Sequence, residues 1–154
     1  MIRPKHYKQR RSARIHLRAP LALLFGLCFA LALDSTGILR VGLLCAALHE
    51  SGHIFLYRLQ WGHWPDLQFS PFGICLMLRG TNLNPQQELL LSAAGPAVNL
   101  VGCSAVLAWM QLSGHYSYMG YWFASTNLLV GGINLLPLPG LDGERILHSL
   151  THWR

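Results

Sequence analysis

The sequence predicts an all-α polytopic membrane protein with about four transmembrane helices. Three observations predict it. Hydrophobic residues make up 52% of the 154 and charged residues only 12%, about half the charged share of a soluble globular protein. So few charges do not cover a water-facing surface, and a disordered chain would be polar and charged. Second, the 53 residues between Glu88 and Asp142 contain no Asp, Glu, Lys or Arg. Third, the basic residues are lopsided. Seven of the 12 (Arg3, Lys5, Lys8, Arg10, Arg11, Arg14 and Arg18) precede Ala19, so the net charge of +6 is a local feature. The four cysteines, Cys28, Cys45, Cys75 and Cys103, form no CxxC pair, which argues against a disulfide or Cys-rich zinc framework.

Residues 1–18 read as a basic cytoplasmic arm that sets topology and can meet anionic lipid. Its one aromatic residue, Tyr7, does not suggest nucleic-acid binding. Ala19 to Leu33 is a 15-residue apolar run. It makes a span over about 17–34 if Arg18 snorkels and Asp34 sits at the interface. A cleaved signal peptide is the alternative, given the basic start and Ala30-Leu31-Ala32. Asp34-Ser35-Thr36-Gly37 turns the chain into a second span, 37–59. Leu89 to Leu112 gives 24 uncharged residues, a third span at 87–112, and Tyr118 to Leu136 gives 19, a fourth at 118–136. Between them, Ser113-Gly114-His115-Tyr116-Ser117 is a polar break, flanked by Tyr116, Tyr118, Tyr121 and Trp122 as an interfacial aromatic belt.

With the arm in the cytoplasm, four alternating spans put 11 of the 12 basic residues on that side and only Arg40 outside. The expected organisation is the arm (1–18), one transmembrane domain (19–148, core about 37–148) and a short tail (149–154). Both termini are expected in the cytoplasm, with the chain in a bacterial cytoplasmic membrane.

An ionisable residue near the bilayer centre costs about 2.5–3.5 kcal/mol on insertion scales. The second span carries three together, in His49-Glu50-Ser51-Gly52-His53. In this HExxH pattern the two histidines stand one helical turn apart on one face and can share a Zn²⁺. Glu50, to their side, can take a proton from water activated at the metal. HExxH also arises by chance on soluble helices, where its side chains face water. Apolar turns flanking it in a membrane helix close that escape.

A catalytic zinc wants a third protein ligand and an open position. Asp34, Asp66 and Glu88 fall at loops or span ends, which leaves Asp142 and Glu144 after the fourth span. Pro137, Pro139 and Gly140 break the chain before Asp142, and broken backbone at membrane depth must be buried in protein or line a wet cavity. A carboxylate on that bend can turn back toward the histidines at similar depth. His63, His115, His148 and His152 compete for the role. Cys45, one turn before His49, reads as a packing residue, and Gly26, Gly42, Gly52 and Gly102 read as close-packing positions.

These motifs resemble the site-2 protease family of intramembrane zinc metalloproteases. HExxH is followed by Asn134-Leu135-Leu136-Pro137-Leu138-Pro139-Gly140-Leu141-Asp142-Gly143, similar to the family's Asn-x-x-Pro-x-x-x-Leu-Asp-Gly. Gly95-Pro96-Ala97-Val98-Asn99 matches its Gly-Pro-x-x-Asn, and Ser70-Pro71-Phe72-Gly73 resembles its Pro-Phe-Gly element. The likeness covers about 37–148 and is nearest the small sporulation factor IVFB-like members. It implies that His49, His53 and Asp142 bind one Zn²⁺ per chain and that Glu50 is the general base and later proton donor. Asn134, with Pro137 beside it in the motif, and Asn99 would hold the substrate strand. Asn99 and Asn134 can equally be hydrogen-bond glue between helices. The region from Phe69 to Arg79 would be a short membrane-associated β-hairpin between helices 2 and 3, a possible edge for substrate pairing.

The resemblance implies a zinc metalloendopeptidase that cleaves a transmembrane protein in or near the cytoplasmic leaflet, in regulated intramembrane proteolysis. The alternatives are a catalytically silent scaffold for partner helices and a zinc transporter. The first predicts a decayed ligand set, and the second predicts polar residues strung along a path. No PDZ or nucleotide-sensing CBS domain is expected, so a membrane regulatory partner is. Nothing in the sequence specifies an oligomeric state.

Overall fold

The computed structural model describes residues 15–17, 20–70, 73–77 and 84–152. Pro71 and Phe72 of the Pro-Phe-Gly element, the basic residues before Ile15, and Arg18, Arg79 and Arg154 lie outside these. The elements run β1 (Ile15–Leu17), α1 (Pro20–Leu33), α2 (Ile38–Trp61), β2 (Asp66–Ser70), β3 (Gly73–Met77), α3 (Pro85–Ser113), α4 (Tyr118–Asn134) and α5 (Asp142–Thr151).

Local chemistry sets the helix ends. Asp34 accepts the Arg40 amide at 3.1 Å and so caps the first turn of α2. At its other end Gly62, with φ 72°, donates to the Arg58 carbonyl, a left-handed cap. Asn84 and Gln87 form a capping box before α3, with Pro85 in the first turn. Ser117 caps α4 by accepting the Gly120 amide at 3.0 Å. α4 ends at Asn134, two residues short of the expected 136, because Pro137 disfavours helical backbone just before it. The chain then turns through Leu135–Leu141 into α5. That helix was not expected. Asp142 and Glu144 in its first turn complement the helix dipole.

The strands form one sheet in the order β1-β2-β3. β2 pairs antiparallel with β3, Phe69 opposite Ile74, and parallel with β1, Leu17 opposite Phe69. The fold is therefore helical with a small sheet, not wholly α. Part of the segment expected as a basic arm is a strand of that sheet.

The packing is inverted relative to a soluble protein. Among the described residues, six buried ones are polar (His49, His53, Ser92, Asn99, Asn127 and Ser149), as many as the six buried hydrophobic ones. Large apolar side chains point outward on every long helix, up to 80% exposed at Phe25 and 87% at Leu112. Where α2 meets α3, a Cβ on Gly52 would stand 2.6 Å from the Ala94 carbonyl oxygen, so the helices approach backbone to backbone. Gly26 and Gly42, also expected at close contacts, face open space. Among the described residues one helix, Pro85–Ser113, is both long and apolar enough to cross a bilayer. α1 and α4, with 14 and 17 residues, are about 21 and 26 Å long at 1.5 Å per residue.

Candidate metal centre

α2 presents His49 and His53 one turn apart toward α3 and the start of α5. His49 Nε2 lies 3.0 Å from Asp142 Oδ2, His53 Nε2 lies 3.2 Å from it, and the two Nε2 atoms are 3.1 Å apart. Both histidines are buried, and the Asp142 side chain is 13% exposed. His53 Nδ1 must donate to the Leu91 carbonyl at 2.8 Å, since a carbonyl only accepts. That fixes the tautomer and turns the Nε2 lone pair toward the other two donor atoms. His49 Nδ1 is buried without such a partner among the described residues. Burial alone would raise the Asp142 carboxyl. Hydrogen bonds with His49 and His53, and their charge, outweigh it and hold the carboxyl at about 2.

This triangle suits a tetrahedral ion. Bonds of about 2.0–2.1 Å place the ligand atoms of a tetrahedral zinc about 3.3–3.4 Å apart. The observed edges of 3.0–3.2 Å are close to that, and two imidazoles with one carboxylate form a catalytic-type donor set with the fourth corner open. Gly95 makes the approach possible. A Cβ there would stand 2.3 Å from His53 Nε2 and 2.7 Å from His49 Nε2, so α3 closes on the imidazoles only because that residue has no side chain.

The triad opens into a cleft of about 120 Å³ that Glu50, Ser92, Asn134 and Arg145 also line. Three expectations resolve differently here. Asn134 lies in the cleft, with its amide donating to the Val130 carbonyl at 2.8 Å. Asn99 does not line it. That side chain is fully buried and points its amide at the Cys45 carbonyl, 3.5 Å away on α2, the position of helix glue rather than of a substrate contact. Pro137 is exposed on the α4–α5 turn and also lies off the cleft. The competing ligands are elsewhere. Glu144 accepts the Gly140 amide, His63 packs on Tyr57, His115 sits on the α3–α4 turn, and His148 and His152 lie at the far end of α5. Cys45 accepts a hydrogen bond from Asn127. Ser92, Arg145 and Asn127 went unnoticed as site or core residues, and Gly95 was named only as a motif position, without its contact to the histidines. Arg145, three residues after Asp142, becomes visible only once α5 is recognised as a helix.

Fold and site together describe a helical bundle with a two-histidine, one-aspartate cluster in its core that could hold a metal ion. No protein-family model matches the chain. Over 112 residues, 69% of its length, the chain is 31% identical to the Putative zinc metalloprotease Rip3 of Mycobacterium tuberculosis, in strains Erdman and H37Rv. The match spans 28% of the relative's length. Among solved structures, the Site-2 Protease from Methanocaldococcus jannaschii has the same fold, with a TM-score of 0.66 and 23% identity. That match covers 91% of this chain and 68% of the other.

Proposed function

We propose that the chain is an intramembrane zinc metalloprotease of the site-2 type, with one Zn²⁺ held by His49, His53 and Asp142. The observation that carries this is the convergence of three ligand atoms beside Glu50, within a fold whose core is polar and whose outer surface is apolar. Outward-facing leucines and phenylalanines suit lipid, and an ionisable cluster inside such a bundle is retained for function. α1 to α4 serve as four spans of a bacterial cytoplasmic membrane, with both termini cytoplasmic. The substrate is a transmembrane protein cut in or near the cytoplasmic leaflet, under control of a second membrane protein. The loop pattern of the sequence favours the sporulation factor IVFB-like branch.

When bound, zinc supplies a Lewis acid that polarises the scissile carbonyl and makes a water nucleophilic near neutral pH. The protein does the rest. The amides of an α-helix are engaged in its own hydrogen bonds. The substrate must unwind, and β3, an edge of the sheet, offers it a backbone to pair with. Asn134 lies where it can hold that strand. Glu50 takes the proton of the attacking water and returns it to the leaving nitrogen.

The test is Glu50→Gln. It should keep the zinc of the wild type and lose turnover of a transmembrane substrate by about 10²–10⁴-fold, the usual contribution of a positioned acid–base group. Wild-type cleavage by this variant would remove Glu50 from the chemistry.

A further inference from the structure

α5 carries a second pair of histidines with the spacing of the first. His148 and His152 lie one turn apart, both exposed, with ring centroids 4.2 Å apart and planes 23° from parallel. His148 Nδ1 lies 3.8 Å from Glu88 Oε2 on the first turn of α3. His152 Nδ1 donates to the His148 carbonyl at 2.9 Å. Four residues apart, the two imidazoles stand on the same side of one helix. Glu88 is itself held, because Ser149 Oγ donates to the same Oε2 at 3.2 Å and is buried in the α3–α5 contact. The carbonyl behind the His152 ring is the kind of hydrogen-bond partner that metal-binding histidines use, and the Glu88 carboxylate stands close to the His148 ring. Paired imidazoles suit zinc, nickel and copper.

We propose that His148 and His152 form an outer divalent transition-metal site, with the Glu88 carboxylate beside it adding favourable charge. Two imidazoles leave the remaining positions to water, so this site is weaker and faster than the inner one. A metal there ties the last turn of α5 to the turn before it. α5 begins at Asp142, so the outer ion stiffens the helix that supplies the third inner ligand. The proposal rests on the geometry of α5 and Glu88, not on the protease reading.

The test is equilibrium dialysis of the full chain in detergent against rising free zinc, with metal content measured per chain. Wild type should saturate at two zinc, one tight and one weak. The double variant His148→Ala/His152→Ala should bind only the tight one. His49→Ala/His53→Ala should keep only the weak one, so failure of the inner site is read separately. Glu88→Gln, which can still accept from Ser149, should weaken the outer site about tenfold and leave the inner one unchanged. Circular dichroism matching wild type certifies that each variant is folded. A wild type that stops at one zinc, or a folded His148→Ala/His152→Ala that still takes two, overturns the proposal.

Discussion

The most informative single residue is one with no side chain. A methyl on Gly95 would fall 2.3 Å from His53 Nε2 and 2.7 Å from both Cε1 and Nε2 of His49. All three atoms belong to rings that have little freedom to retreat, since Leu91 holds one by hydrogen bond and both are buried. Overpacking a tight site typically costs about 1–3 kcal/mol, and here the strain falls on the metal ligands. Gly95→Ala should therefore lower zinc affinity about 5- to 150-fold and lower turnover with it, while helix content stays at the wild-type value. Metal analysis beside circular dichroism checks this, and full zinc occupancy at low free zinc would refute it. The neighbouring ligands were legible because their chemistry is local: two histidines four apart share a helix face, and a carboxylate after two prolines sits on a bend. Gly95 was not, because what a glycine makes room for is decided by another helix. Asn99 stayed open between substrate contact and helix glue for the same reason. A motif fixes its residue type, but only the packing of α2 on α3 turns it toward Cys45 and away from the cleft.

At the scale of elements, helix ends decide how the site is assembled. α2 carries both histidines, and its N-terminus is held by Asp34, which accepts the Arg40 amide at 3.1 Å and the Thr36 hydroxyl at 3.3 Å. Desolvation pulls the Asp34 carboxyl upward. Hydrogen bonds from the Arg40 and Leu39 amides and the Thr36 hydroxyl, with the Arg40 charge, prevail and hold it below its ordinary 3.8. A carboxylate depressed in the folded state stabilises the fold above that ordinary value and loses the contribution as pH falls through its lower folded value. Asp34→Asn should therefore lower the melting temperature at pH 7. The gap between variant and wild type should shrink as the pH is taken below 3.8. Thermal melts in an acid-stable detergent check it, and a gap independent of pH would mean that the carboxylate charge plays no part in the cap. The turn that Asp34 starts was visible in Asp34-Ser35-Thr36-Gly37. α5 was not, because ten residues after a proline-rich turn are too few to announce a helix without knowing that their Ser149 face lands on Glu88.

For the whole molecule the question is which end of the bundle faces which side. Gly37, at the start of α2, would touch Met119 near the start of α4 at 3.5 Å, so the α1–α2 and α3–α4 turns share one end. The contacts of Glu88 with Ser149 and of His53 with Leu91 bring the start of α3 and the length of α5 toward the opposite end, where Asp142 meets the histidines. α3 runs antiparallel to α2 and α4, and apolar faces point outward, an arrangement that alternating spans would require. The sequence did not reveal that the core would be half polar, since burial depends on which faces meet. If the basic residues set orientation, the shared-turn end is external and the catalytic end cytoplasmic. In a background lacking the four native cysteines, Ser35→Cys and His115→Cys should then react with a membrane-impermeant maleimide on intact cells. Thr151→Cys should react only after permeabilisation. Labelling of Thr151→Cys alone on intact cells would invert the orientation and move cleavage to the outer leaflet. Ser35→Cys and His115→Cys on opposite sides would break the alternation, because two turns that touch across one end of a bundle must share a side of the bilayer.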